Sequence, residues 1–389
     1  MDSCDVLIAG GGPAGSSCAW ALRSSGLHVT ILDKASFPRN KPCGGWITPP
    51  VFEALAIDPD DYARGRTLQP ITGFLVGCMA RHAIEVDYAR TVSYGIRRYE
   101  FDEFLLRRSQ ADVRERLPII SIQHSGDSWI VNGNIKTRCL VGAGGHFCPV
   151  GRSIGNASGG PPVVAQEVEF EMDEQQAASC SVRQEIPELY FCQDLRGYGW
   201  CFRKGDFINV GLGRLDQHGL GEHVTRFVQF LRATGRLLFD LPHRLCGHAY
   251  LLSSYSRREL LDDGVLLIGD AAGLAHPQSG EGILPAVESG LLAARVIRSA
   301  NGNYARCQLQ AYPALLAGGL ISRRSLVETA AERLPCRLRN AVGRWLLSKE
   351  WFCRREVIEN WFLHASSSEL MELSSEFHDF RRPRDPFIS

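Results

Sequence analysis

Residues Cys4–Lys34 read CDVLIAGGGPAGSSCAWALRSSGLHVTILDK. The stretch opens with a short apolar run, Val6-Leu7-Ile8-Ala9, of the kind that forms a buried parallel strand. Gly10-x-Gly12-x-x-Gly15 follows at once, and residues 15–25 carry a helical pattern that Gly26 is placed to end. A second apolar run, Leu27 to Leu32, stops at Asp33. Strand, glycine turn, helix and strand in about 30 residues form the setting in which such glycines bind a dinucleotide. Gly10 allows the tight turn, Gly12 lets the backbone approach a pyrophosphate, and Gly15 lets helix and strand pack closely. The helix start offers N–H groups and the positive end of its dipole to the phosphates. Asp33 stands where a carboxylate takes hydrogen bonds from a ribose.

Composition excludes several other classes. The 389-residue chain has no formal net charge, which argues against binding nucleic acid through bulk electrostatics. Its 13 cysteines are scattered and odd in number, with no CxxC and no Cys/His spacing suited to a metal. Neither a disulfide framework nor a bound metal is therefore expected, and reduced thiols in a cytoplasmic setting are. The first strand begins almost at residue 1, so no secretory leader is expected. No apolar run is long enough to span a bilayer.

Beyond Asp33 the pattern predicts a discontinuous α/β organisation. A Pro- and Gly-rich loop, residues 36–50, follows the second strand, where it can return across a bound ligand. Residues 51–64 read as helix, 65–95 as short mixed strands, and a helix begins at about Arg98. Strand-like runs at Trp129–Val131 and Thr137–Val141 lead into Gly142-Ala143-Gly144-Gly145. Between Val163 and Leu252 the period changes to two, as in Gln166–Glu171 and Phe207–Leu212, predicting an antiparallel sheet with one covered face and one helix at 221–234. A strand at 264–270 and a helix at 282–299 return to the first unit. Residues 304–366 read as helical throughout, and Phe377–Ser389 as a loosely attached tail. The expected division is 1–65, 92–160 and 255–302 for a Rossmann-type binding domain, 66–91 and 161–254 for a sheet domain walling a substrate cavity, 303–370 for a helical region and 371–389 for the tail.

Two further motifs meet the first. Gly269-Asp270-Ala271-Ala272-Gly273 ends a strand in an acid among small residues. His276-Pro277-Gln278-Ser279-Gly280-Glu281-Gly282-Ile283 opens a helix with a run of backbone N–H groups, although Ser279 can equally be read as an ordinary N-cap. With the GxGxxG unit and Asp33, these motifs over residues 3–300 resemble the FAD-dependent oxidoreductases of the aromatic hydroxylase, glutathione-reductase-like fold. The resemblance implies that Asp270 binds the ribityl chain and that Gly280-Glu281-Gly282 turns over the isoalloxazine. It also implies that Arg98, ahead of Phe101-Asp102, approaches the FAD.

A narrower likeness lies in Phe37-Pro38-Arg39-Asn40-Lys41-Pro42-Cys43-Gly44-Gly45, which resembles the loop of geranylgeranyl reductases. Residues 198–205, YGWCFRKG, resemble that group's Tyr-x-Trp-x-Phe-Pro-Lys-Gly strand. This likeness implies use of reduced FAD to saturate prenyl double bonds, with NADPH or NADH as electron donor. The implied cofactor contacts are Gly10, Gly12, Pro13, Ala14, Gly15, Asp33, Lys34, Arg39, Cys43, Gly44, Gly45, Arg98, Gly269, Asp270, Gly280, Glu281, Gly282 and Ile283. Tyr198, Trp200 and Phe202 are the candidate substrate contacts. Cys43 is the candidate proton donor beside the flavin, and a small packing thiol is its plainer role.

Two departures stand out. The family's Ala-Asp-Gly is here Ala143-Gly144-Gly145, followed by Cys148 and Arg152, and Arg203 replaces a proline. The Trp-x-Trp-x-Ile-Pro motif of tryptophan-type halogenases is missing from the sequence. The alternatives are an FAD monooxygenase or related halogenase acting on an aromatic or polyketide-like compound, and a non-catalytic flavoprotein. His276 and His146 read as structural loop histidines, with a catalytic acid or base as the alternative. Trp345, Trp351, Phe352, Trp361 and Phe362, among Arg344, Arg354 and Arg355, read as a helical region packed on its own core, with peripheral membrane contact as the alternative.

Overall fold

The computed structural model describes all residues except 80–81, 157–159, 217, 243, 321–334 and 365–389. Its largest sheet has eight strands. Along the main path they run Leu261–Asp262, Val265–Leu267, Ile135–Gly142, Asp2–Ala9, Val29–Leu32 and Asp112–Arg114, and the hairpin Ile122–Ser125/Ser128–Val131 pairs onto Ile135–Gly142. Asp2–Ala9 is parallel to both neighbours, and Val265–Leu267 is parallel to Ile135–Gly142. Helices cover parallel sheets on both faces, so their strands need not alternate in polarity. Val6, Leu7 and Ile8 are accordingly all buried.

The helix Pro13–Leu22 has every residue buried. It ends at Leu22, three residues short of the predicted end, and Gly26 serves the following turn with φ +76°. A Cβ at Gly15 would collide with the Gly10 carbonyl, so strand and helix can meet only through glycine. The predicted helix at 51–64 is two helices, Pro49–Leu55 and Pro59–Ala63. Ala56 in the left-handed region and the restriction ahead of Pro59 divide them.

The second sheet has seven strands in the order Cys246–Tyr250, Val163–Glu171, Phe207–Arg214, Gly197–Lys204, Glu188–Phe191, Gly73–Cys78, Ile84–Asp87. All its pairings are antiparallel except Glu188–Phe191 with Gly73–Cys78. One expectation is overturned here: both faces are covered. Val210, Leu212 and Ile208 face a core with the helix Leu220–Ala233. Glu167, Trp200 and Asn209, on the opposite face, are buried as well. A small third sheet, Trp46–Ile47, Ser93–Ile96 and Leu68–Ile71, carries the 36–50 loop.

The chain returns through Val265–Leu267 and the helix Ile283–Ser299 as predicted. The C-terminal region is not one helical run. Its described helices are Arg306–Leu309, Ala311–Ala317, Cys336–Leu346 and Glu350–Phe352, the last continuing into Cys353–Phe362 at a wider, π-helical pitch. The predicted tail lies outside the described residues.

Candidate active site

The site is built where the first sheet's loops meet the buried polar face of the second. Asp33 sits at the end of its strand, and its Oδ2 accepts the Gly11 N–H at 2.8 Å while Oδ1 accepts that of Ala35. Lys34, next in sequence, is exposed. Gly10 has φ +117°, and a Cβ there would press on the Ala143 carbonyl. No side chain caps the helix that begins at Pro13, and no acid stands in its first turn. The Arg39 guanidinium lies over the same turn, with Nη2 3.4 Å from where a Gly12 Cβ would sit. Arg39 Nη2 also pairs with Asp102 at 3.1 Å, while its buried Nη1 has no hydrogen-bond partner. A bare glycine turn, an uncapped helix start and an orphaned guanidinium nitrogen converge at one spot. This donor set fits the diphosphate of a dinucleotide.

Arg98 is not a solvated surface charge. It is buried and bidentate on Asp102, with bonds of 2.6 and 2.8 Å. It also lies beside Cys43. Cys43 is half-buried; its Sγ accepts the Gly45 N–H at 3.4 Å, and its carbonyl accepts a bond from Asn209 Nδ2 at 3.1 Å. Phe202 stacks edge-on against Trp46 and lies next to Gly44, so it supports the loop.

Gly269 and Asp270 form a single 3-10 turn after their strand. Asp270 Oδ2 lies 3.2 Å from His248 Nε2, and Lys41 Nζ lies 2.8 Å from His248 Nδ1. Lys41 Nζ is also 3.0 Å from Nε2; a neutral His248 that donates Nε2–H to Asp270 accepts from Lys41 at Nδ1. Burial lowers the His248 pKa, in keeping with that state. Burial also brings Lys41 down to about 8, against the pull of Asp270. Burial alone would raise Asp270, but His248 and Lys41 hold it below the usual carboxylate range. Arg258 donates to the carbonyls of Asp270, Ala271 and His146, tying the 146 loop to this strand end. Arg152, by contrast, is exposed and donates to the Phe147 carbonyl.

In the 276–283 loop, Gly280 has φ +70°, and a Cβ there would strike Tyr250 Oη. The helix cap differs from the Ser279 reading. Gly282 is the N-cap residue, Glu281 Oε1 accepts the Leu284 N–H at 2.8 Å, and Ser279 Oγ accepts the Glu281 N–H. Glu281 Oε2 faces His276 and His364 at 3.7 and 3.9 Å, and the two imidazole rings stack 3.7 Å apart. These three side chains form a set that could hold a cation. Spacing along the chain could not reveal it, because His364 comes from the C-terminal region. Burial pushes Glu281 up to about 7 and His276 and His364 down to about 3 and 4, so near neutral pH both imidazoles are uncharged and Glu281 is in mid-titration.

A cavity of about 270 Å³ lies behind this loop. Tyr198 and Trp200 line it from one strand face, joined by Phe191, Tyr250, Leu252 and Trp361, with Ser279 and Gly280 on the loop side. Tyr198 Oη donates to the Ser279 carbonyl, tying wall to loop. Phe202 is not in the lining. Arg203 points to the other side of the strand, bonding the carbonyls of Gly205 and Ala177, so its departure from proline leaves the cavity wall untouched.

Sequence reasoning missed the polar cluster under the 43–45 loop. Lys204 Nζ pairs with Glu169 at 2.6 Å, and Asn209 donates to Glu167 and accepts from Trp200 Nε1. Burial raises Glu167 to about 7 despite nearby Lys204. The alternation of Gln166–Glu171 carries the signal, since it puts Glu167 and Glu169 on one face.

A profile of the NAD(P)-binding Rossmann-like domain matches residues 8–53. The chain is 27% identical over 315 residues to the digeranylgeranylglycerophospholipid reductase of Methanocaldococcus jannaschii, covering 77% of this chain and 78% of that protein. It is 28% identical over 351 residues to the menaquinone reductase of Mycobacterium tuberculosis, covering 81% and 80%. Among solved structures, a geranylgeranyl bacteriochlorophyll reductase-like protein from Thermoplasma acidophilum superposes with TM-score 0.71 at 22% identity, over 97% of this chain and 99% of that one. The halogenase PltM in complex with FAD superposes with TM-score 0.66 at 16% identity, over 98% and 93%. In fold and in sequence the chain is similar to the geranylgeranyl reductase-like FAD-dependent oxidoreductases, within a wider fold shared with flavin-dependent halogenases.

Proposed function

We propose that this chain uses FAD to reduce carbon–carbon double bonds of a prenyl or similarly lipophilic substrate. One observation carries the reading: an aromatic-walled cavity ends at the 279–280 loop, beside which we place the flavin ring. Reduced FAD, when bound, supplies the hydride equivalent for such a reduction.

The remaining roles belong to the protein. Gly10, Gly12 and Arg39 hold the diphosphate, and Asp33 takes the adenosine ribose. The backbone of Gly280, Glu281, Gly282 and Ile283 orients the ring edge and offers N–H groups to negative charge there. Asp270, held ionised by His248 and Lys41, accepts hydrogen bonds from the polyol chain. Tyr198 and Trp200 lay an isoprenoid chain along the cavity and exclude water. Cys43 Sγ supplies the proton to the second carbon. NADPH or NADH is the proposed source of electrons.

The test is anaerobic. The reduced flavoprotein is mixed with a panel of prenyl lipids and with aromatics, and a product heavier by two hydrogens is sought by mass spectrometry. Turnover only of aromatics, and only with oxygen, would instead favour a monooxygenase or halogenase, the reading the PltM likeness supports. Cys43→Ala is expected to keep FAD and lose most turnover; full turnover would remove Cys43 from the mechanism.

A further inference from the structure

The helix Cys336–Leu346 is anomalous for a water-soluble surface. None of its eleven residues is buried. Leu338, Val342 and Trp345 recur at helical spacing on one side and are 51%, 43% and 55% exposed, and Trp351 just beyond is 57% exposed. Short helices in water depend on an apolar face packed against something. The inner side does meet the protein: Gly343 packs against Leu195, and Leu347 is buried. The outer stripe stays about half exposed, and Lys349 from the same segment lies over its Trp345 ring.

Charge says what covers it. From Pro335 to Trp351 the cations Arg337, Arg339, Arg344 and Lys349 stand against Glu350 alone, in a chain of zero net charge. Arg337 is exposed, and Lys349 lies over the Trp345 ring at 5.0 Å. Tryptophans beside cations on an apolar helix face suit the headgroup region of a bilayer, and the local positive charge suits anionic lipid. A second copy of the chain would bring like charges together.

We propose that this face docks on an anionic lipid surface. The proposal rests on the reading above that the substrate is a lipid, and it gives that lipid a route. Gly343, Leu347 and Phe352 form part of the aromatic-walled cavity's lining directly behind the docking helix. A chain drawn from the bilayer at Trp345 and Trp351 passes the helix on its way to the loop at Gly280.

The experiment uses the full-length flavoprotein and flotation with phosphatidylcholine vesicles, with and without phosphatidylglycerol. Wild type is expected to float with the anionic vesicles only, and to be released by high salt. The double variants Trp345→Ser/Trp351→Ser and Arg337→Glu/Arg339→Glu are each expected to bind about tenfold or more weakly. Their flavin content and circular dichroism, unchanged from wild type, show that they fold. Wild type left unbound, or variants binding like wild type, would overturn the proposal. So would a monomer-forming Trp345→Ser/Trp351→Ser variant of an otherwise dimeric protein that ignores vesicles. The flotation arm needs no turnover, so failure of the reductase reading does not affect it. If the reductase reading holds, the tryptophan variant loses activity on vesicle-borne substrate and keeps it on a short-chain, detergent-dispersed one.

Discussion

Replacing Glu281 with Gln isolates one buried carboxyl group. Gln keeps Oε1 as acceptor for the Leu284 N–H, so the helix cap survives, and the titrating proton is lost. Burial raises Glu281 from 4.5 to about 7. The sign follows from linkage. Below pH 4.5 the carboxyl is protonated in both the folded and the unfolded chain, and it contributes no difference. Between there and pH 7 the unfolded chain ionises first, so wild-type stability is lost as pH rises through the folded value. The shift corresponds to about 3 kcal/mol at 1.36 kcal/mol per unit. Relative to wild type, Glu281→Gln should gain nothing near pH 4.5 and about 3 kcal/mol by pH 8. The assay is urea unfolding of both flavoproteins, matched for FAD content, at a series of pH values. Glu167 and Glu188 are raised as well, and their effects cancel in the difference. Stability curves that run parallel from acid to alkaline pH would show that Glu281 is not held neutral and would refute the reasoning.

Other outcomes can be checked directly. Gly15→Ala forces a methyl group against the Gly10 carbonyl; it should cost about 1–3 kcal/mol and release FAD, seen as a lower flavin-to-protein absorbance ratio. Arg39→Met leaves Asp102 paired with Arg98, so folding should survive while FAD affinity falls about tenfold in a fluorescence titration. Tyr198→Phe breaks the bond to the Ser279 carbonyl; a loss of about 1 kcal/mol is expected from thermal unfolding, with a larger rise in KM than fall in kcat.

The first βαβ unit was readable because backbone demands wrote it. Gly15 has one sterically allowed identity, and Asp33 terminates a run, Leu27–Leu32, whose polar residues are His28 and Thr30. The Gly280 and Asp270 motifs were readable for the same reason. What stayed hidden came from pairing at a distance. Period-two alternation in Gln166–Glu171 says that two faces differ and not what covers each, so it does not reveal that Glu167 and Glu169 are enclosed. His364 could not be connected with Glu281, nor His248 with Asp270, because neither spacing nor composition records which loops meet. The C-terminal aromatics divided: Phe362 stacks on Trp46 and Trp361 lines the cavity, while Trp345 and Trp351 face outward. A count of tryptophans could not separate the two groups.

The strand Ile135–Gly142 lies between Asp2–Ala9 and Val265–Leu267. The strand Ser128–Val131 covers its far edge at Ile135–Thr137, so during synthesis the Leu140–Gly142 end stays unpaired while more than a hundred further residues leave the ribosome. For that interval the nascent chain displays a short apolar strand end with open N–H and C=O groups, a template for unwanted association. Chains stopped after Gly142 and before Val265 should accordingly aggregate more readily than the full-length chain, and slow translation through the second sheet should raise the demand for chaperones.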